Sequence, residues 1–313
     1  AIFARAILER GKPILANGYS TGFYQWLLYW LEAISAKFFG LNEFAVRFPS
    51  IIFGTLTILA VYLLGKELFT NSSASDGGKV EQSGTFDSSE VFIPLVAAIL
   101  TTFLKIEILW SRQARPYQAL QFFYLLSFLF IWKLKKEKKF HWGYFFGFLL
   151  SSIFASLTHG LGIVIFFVGF LLLAVFRLDW FKKWLPLGFL AGTVFIYIFK
   201  TQIWTVVSSL GKFNNLFYYR IFLSHNYPLL LFLALIGILS VFKKREKEKL
   251  LLLVFPLLVQ TFFVSFLLPQ PFIRYFYIVF PFLILLAAVG LNKISSFFNF
   301  AAKPHILSRL SAG

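Results

Sequence analysis

From Phe44 onward the chain is a succession of long apolar runs separated by short polar stretches. Nine runs, at 44–69, 91–110, 117–134, 142–157, 161–176, 184–200, 227–242, 250–268 and 276–291, are read as membrane helices. Each crosses, or nearly crosses, a hydrocarbon core that takes about 20 helical residues. Continuous runs such as Leu229 to Leu239 do not alternate in polarity, which argues against the strands of a barrel. Residues 23–39 follow another pattern. Phe23, Trp26, Leu27, Trp30, Ala33, Ile34 and Phe38 recur at helical spacing, with Gln25, Glu32 and Lys37 between them. This aromatic, amphipathic stretch predicts a helix lying in the outer membrane interface. The expected fold is an all-α integral membrane protein, a polytopic helical bundle of about nine transmembrane helices plus that interfacial helix. Residues 1–43 form the outer-face segment and 44–291 the transmembrane domain, with a linker at 70–90 and a tail at 292–313.

Composition narrows the class. Of 313 residues, 59% are hydrophobic and 14% charged, and 44 Phe outnumber the 30 Lys and Arg. A soluble domain carries about 45–50% apolar and roughly 25% charged residues. Lipid is therefore the solvent for most of the chain, and disordered proteins, nucleic-acid modules and small secreted scaffolds are excluded. The absence of Cys removes disulfides, thiolate metal sites and Cys nucleophiles. Met is absent too, even as initiator, and the chain opens Ala1-Ile-Phe-Ala-Arg5, so it is read as a fragment lacking its natural N-terminus. The Ser-, Gly- and acid-rich stretch Thr70–Glu90 has little to bury and reads as a flexible linker.

The net charge of +17 first calls for a topological explanation. Lys133–Lys139, Arg177–Lys183 and Lys243–Lys249 carry thirteen basic residues, whereas Ser111–Pro116, Thr158–Gly160 and Pro269–Tyr275 carry three. By the positive-inside rule the first set faces the cytoplasm and the second the outside. On that assignment four carboxylates, Glu9, Glu32, Glu43 and Glu107, lie outward, among many arginines.

The densest outward segment is Trp110-Ser-Arg-Gln-Ala-Arg-Pro-Tyr117, a turn that holds two guanidiniums, an amide, a phenol and an indole. Arginine's donor fork suits phosphate oxygens. Snorkelling arginines beside belt aromatics would account for the charges alone. Glu107, close before Arg112 and near the membrane boundary, asks for a partner. Pro271-Phe-Ile-Arg-Tyr275 adds a further Arg–aromatic pair, Arg274 and Tyr275. His159, in Leu157-Thr-His-Gly160, reads as a hydrogen-bonded interface residue, and without a companion His or acid cluster no metal site is expected. No Gly-x-x-x-x-Gly-Lys loop is present, so ATP is not expected as the energy source.

Several segments resemble one known family. Ala1–Pro13, Phe38-Phe-Gly-Leu-Asn-Glu-Phe-Ala-Val-Arg-Phe-Pro-Ser50 and Val61-Tyr-Leu-Leu-Gly65 are similar to the dolichyl-phosphate-mannose-protein mannosyltransferase-like family. That family belongs to the C-fold glycosyltransferases, with the bacterial aminoarabinose transferases. Trp110–Tyr117, Leu157–Gly160 and Arg274-Tyr275 with Pro281 resemble its later motifs. The resemblance implies transfer of a sugar from a polyprenyl-phosphate donor to an acceptor protein, lipid or glycan, on the outer face of the cell membrane and with inversion. It implies no cofactor and no nucleic-acid partner; membrane lipids are the surroundings. The family's catalytic Asp stands just before the position matching Ala1, so the catalytic residue is expected upstream and the fragment itself inactive. Arg112, Arg115 and Arg274 become candidate clamps on the donor phosphate. Tyr24, Trp110, Tyr117, His159 and Tyr275 become candidate sugar or prenyl contacts, with Glu107 an auxiliary carboxylate that orients an arginine or an acceptor hydroxyl. Gln113 stands where some members have Glu, and Tyr19–Tyr24 replaces a His-Pro-Pro-like stretch. The competing readings are a transporter or lipid flippase, for which internal repeats and broken helices would speak, and a catalytically incomplete relative.

Overall fold

The computed structural model describes residues 2–20, 25–70, 88–180, 182, 208 and 212–301. Among these there are helices and turns, one isolated bridge between Ile14 and Ser20, and no strand. The helices, in chain order, are α1 (Ile2–Arg10), α2 (Trp26–Phe39), α3 (Glu43–Phe69), α4 (Ser88–Phe103), α5 (Lys105–Ser111) and α6 (Tyr117–Lys136). They continue as α7 (Trp142–Thr158), α8 (Ile163–Phe176), α9 (Leu216–Asn226), α10 (Pro228–Lys243), α11 (Lys247–Phe266), α12 (Ile273–Phe276) and α13 (Phe280–Ala301). The expected stretch 184–200 and Tyr24 lie outside the described residues, as does most of the linker.

Local sequence sets several of these ends. Asn42 caps α3 by accepting from the Ala45 N–H at 2.9 Å, and Glu43 adds an acid to the positive first turn. Pro228 opens α10, where its missing N–H is harmless. Lys133, Lys135 and Lys136 occupy the last turn of α6, facing the negative end of its dipole.

Three helices have the length and apolarity of a membrane span: α3, α11 and the continuous stretch Ile273–Phe298. The number rises to five when two bent pairs, α4 with α5 and α9 with α10, each count as one. α7 and the run Gly160–Phe176 are apolar but shorter. Within the expected span 91–110 the chain turns by 61° at Leu104, which adopts extended torsions between α4 and α5. Ile273–Phe298 is the central element, with 83% of its apolar window buried by protein. It packs most closely on α10, where Gly237 and Gly290 let two backbones meet. A Cβ on Gly237 would stand 1.9 Å from the Leu286 carbonyl oxygen, and one on Gly290 would stand 2.0 Å from that of Leu233. Only glycine fits at such a crossing.

The bundle has two chemically distinct ends. At one, Lys136 pairs with Glu67 at 2.9 Å, Lys135 pairs with Glu248, and the Arg177 guanidinium reaches the carbonyls of Glu137 and Lys138. The three basic loops therefore meet. At the other end the loops 111–116, 158–160 and 269–275 come together through Tyr117, His159 and Tyr275. The 20 residues of α6 separate the two ends by roughly 30 Å.

Candidate functional site

The bend at Leu104 gives α5 its direction, and the turn after Ser111 brings the chain back into α6 with Pro116 as its cap residue. Trp110 and Tyr117, on either side of this turn, consequently pack edge to face with centroids 5.0 Å apart. From α7 and its short continuation, His159 sets its ring 5.3 Å from Tyr117 and 5.9 Å from Tyr275. Its Nδ1 accepts the Leu161 N–H at 3.1 Å, so the neutral ring carries its hydrogen on Nε2. Burial, reinforced by the charge of Arg274, pushes the His159 imidazole down to about 4. At neutral pH it is an uncharged donor.

Arg274 enters from α12. Its guanidinium lies 3.9 Å from the Phe272 ring, 5.2 Å from Tyr275 and 5.8 Å from Tyr117. The loop ahead of it is fixed from two directions. Asn215 donates to the Leu268 carbonyl at 2.8 Å, and Tyr219 donates to that of Phe272 at 3.2 Å. Gln260 on α11 donates to the Tyr275 carbonyl at 2.7 Å. Two donors at the cluster, Arg274 Nε and Trp110 Nε1, are buried without a hydrogen-bond partner among the described residues. A buried donor without a partner costs about 1–3 kcal/mol.

Five of the residues singled out by sequence, Trp110, Tyr117, His159, Arg274 and Tyr275, thus form one aromatic, cationic cluster. Arg115 stands at its edge, exposed, with its carbonyl accepting from Ser50 Oγ at 3.4 Å. Arg112 caps α5 at the exposed rim.

Of the two expectations for Glu107, that it orients an arginine or an acceptor hydroxyl, the first does not match its partners. It is buried, and its carboxyl is bonded to the Tyr277 hydroxyl and to Gln121 Nε2 at 3.1 Å. Tyr277 OH also lies 2.6 Å from Gln118 Oε1, and Gln118 Nε2 donates to Thr57 at 3.2 Å. This network lies directly behind the cluster, because the Tyr277 ring packs 5.8 Å from Trp110. The physical reason for the correction is reach: α5 points Glu107 into the bundle, while Arg112 lies beyond the helix end.

Glu32 was not among the sequence candidates. It is 1% exposed on α2, and burial pushes its carboxyl up to about 7. The signal was there to read: Leu28, Ala33 and Ala36 share its buried helix face.

The fold and cluster define a polytopic helical membrane protein with an arginine-edged aromatic site at one end of its bundle. Residues 26–76 match the family model described as dolichyl-phosphate-mannose-protein mannosyltransferase. The fold is similar to that of ArnT from Cupriavidus metallidurans in the apo state, with a TM-score of 0.63 and 16% identity over 93% of this chain and 54% of that one. ArnT from the same organism bound to undecaprenyl phosphate matches with a TM-score of 0.62 and 15% identity, over the same shares. The chain spans about half the length of these solved structures. No curated protein sequence matches it.

Proposed function

We propose that this chain is the membrane portion of a glycosyltransferase that moves a sugar from a polyprenyl-phosphate donor to an acceptor hydroxyl. Transfer takes place on the extracytoplasmic face, at the end of the bundle bearing Tyr117, and inverts the anomeric carbon. The observation that carries this reading is the convergence of Trp110, Tyr117, His159 and Arg274 from separate stretches of the chain. Undecaprenyl phosphate bound to a protein of the same fold supports the donor class. The excess of Lys and Arg in the loops at the opposite end supports the sidedness.

Inversion needs a base on the acceptor and stabilisation of the departing phosphate. Arg274, with a buried Nε free to donate, holds the phosphate, and Arg115 adds charge from the rim. Tyr117, Tyr275 and Trp110 offer ring faces to the sugar or the first prenyl units. His159 donates from Nε2 to a sugar hydroxyl. The acceptor's proton goes to a carboxylate base. The reaction then breaks the anomeric C–O bond to phosphate and forms one to the acceptor oxygen.

The two bent helix pairs favour one other reading, a lipid flippase. Both readings require undecaprenyl phosphate to bind, and turnover separates them. The purified protein is titrated with undecaprenyl phosphate while Trp fluorescence is followed. R274A is expected to weaken binding about tenfold or more. Binding unchanged in both R274A and R115A would overturn the site. Binding with lipid movement between leaflets but no transfer of sugar would favour the flippase.

A further inference from the structure

At the Lys-rich end of the bundle, a cavity of about 370 Å³ opens between the last turns of α3 and α6 and the turn joining α10 to α11. Five basic residues line it: Lys135, Lys136, Arg245, Lys247 and Lys249. Three are already committed, Lys136 to Glu67 at 2.9 Å, Lys249 to Glu246 at 2.9 Å, and Lys135 to Glu248. Arg245 and Lys247 form no ion pair among the described residues. The wall is therefore charge-balanced except for two cations contributed by one turn.

That turn is built against backbone preference. The Arg245 N–H donates to the Phe242 carbonyl at 3.0 Å and the Glu246 N–H to that of Val241 at 3.3 Å. This is the Schellman helix end, with Arg245 at the left-handed position that glycine usually takes. Its φ is 58°, the single positive φ of a non-glycine residue among the described residues. A strained residue whose side chain lines a charged cavity points to function, since folding alone would be better served by glycine.

Depth identifies the ligand's source. The cavity lies at terminal turns of two helices with the character of membrane spans, α3 and α11. Trp132 forms part of the wall, its indole donating to the Glu67 carbonyl at 2.9 Å. Basic pockets between spans at this depth suit phosphate-bearing headgroups, and a guanidinium fork suits their oxygens.

We propose that Arg245 and Lys247 hold the phosphate of an anionic lipid headgroup in this cavity. The site is separate from the aromatic cluster and stands whether or not the chain transfers sugar.

The test is native mass spectrometry of the full chain taken from vesicles of phosphatidylglycerol and phosphatidylcholine in equal parts. The chain is expected to retain phosphatidylglycerol in preference. R245Q/K247Q loses about tenfold of that retention. K243Q/K244Q removes two charges from the same turn without touching the cavity lining, and retains the lipid. R245G relieves the strained φ, so it melts at or above the parent temperature while losing retention, which separates binding from folding. Equal loss in the two double variants would show diffuse attraction and overturn the site, as would full retention in R245G or equal retention of the two lipids. Displacement of phosphatidylglycerol by inorganic phosphate would make this a free-phosphate site and overturn the lipid assignment.

Discussion

The hydroxyl of Tyr277 is bonded to the carboxyl of Glu107 across 170 positions of sequence. Through Gln118, Gln121 and Thr57 the same network joins α3, α5 and α6 to the start of the central helix. Interhelical hydrogen bonds in membranes contribute about 0.6–2 kcal/mol each, because the unfolded chain also finds partners there. E107A removes one partner each from Tyr277, which keeps Gln118, and from Gln121, which keeps the Tyr277 carbonyl, and is expected to destabilise by about 2 kcal/mol. E107Q keeps an acceptor for Gln121 and adds a donor, so its loss is expected to be half as large or less. Unfolding in mixed detergent measures both. Equal losses would mean that both carboxyl oxygens are needed as acceptors and that an amide of the same shape does not replace them.

Tyr117 is the hub of the cluster. It touches Trp110 and His159 at 5.0 and 5.3 Å between centroids, and Arg274 stands 5.8 Å from its ring. The ring, rather than the hydroxyl, makes these contacts. Y117F is therefore expected to bind undecaprenyl phosphate within about twofold of the parent, and Y117A about tenfold more weakly, from the loss of the ring's edge-to-face and tilted aromatic contacts and of one cation–π contact. The fluorescence titration that reads R274A reads these as well. Equal affinity for all three proteins would remove the cluster from donor binding.

The Gly237–Gly290 crossing is a separate prediction about the frame. Because a Cβ at either position would fall within about 2 Å of a carbonyl oxygen, alanine must push α10 off the central helix. G237A and G290A are each expected to destabilise by about 1–3 kcal/mol. Once the helices are apart, the second substitution meets no clash, so the double variant is expected to be less than additive. Thermal melts of the four proteins test this, and full additivity would show that the two glycines act independently.

Much of this was legible in the chain. The Lys-rich loops meet at one end of the bundle and the loops poorer in basic residues at the other, where Trp110, Tyr117, His159, Arg274 and Tyr275 come together while Arg112 and Arg115 stay at the exposed rim. Those features are local, since a loop's charge and a helix end's aromatics are read within a few residues. The bend at Leu104 was not legible, because Thr102-Phe-Leu-Lys105 contains neither Pro nor Gly, the usual marks of a break. Nor was the partner of Glu107. Arg112 is near it in sequence, and Tyr277 comes near only when the whole bundle closes. The two dangling donors of Arg274 and Trp110 likewise exist only in the packed chain.

Glu32 and His159 give the fold two opposed responses to pH. Burial raises Glu32 from 4.5 to about 7, so between those values the folded chain holds a proton that the unfolded chain releases. Stability from this group therefore falls as pH rises from about 4.5 to 7 and is level above. Burial, with Arg274 adding to it, lowers His159 from 6.5 to about 4, so there the unfolded chain binds the proton instead. Its contribution is fully present above about 6.5 and is lost as pH falls through about 4. Each effect is on the order of 3 kcal/mol across its window, and in the parent protein they offset one another between about 4.5 and 6.5. Substitution uncovers each in turn. E32Q removes the falling contribution, leaving a stability that climbs with pH over this range. H159N keeps an acceptor for the Leu161 N–H and removes the rising one, leaving a stability that declines. Melts of the three proteins from pH 4 to pH 8 read the slopes directly. Parallel profiles in parent and E32Q would mean that the Glu32 carboxyl is solvated in the folded chain and titrates as it does in the unfolded one.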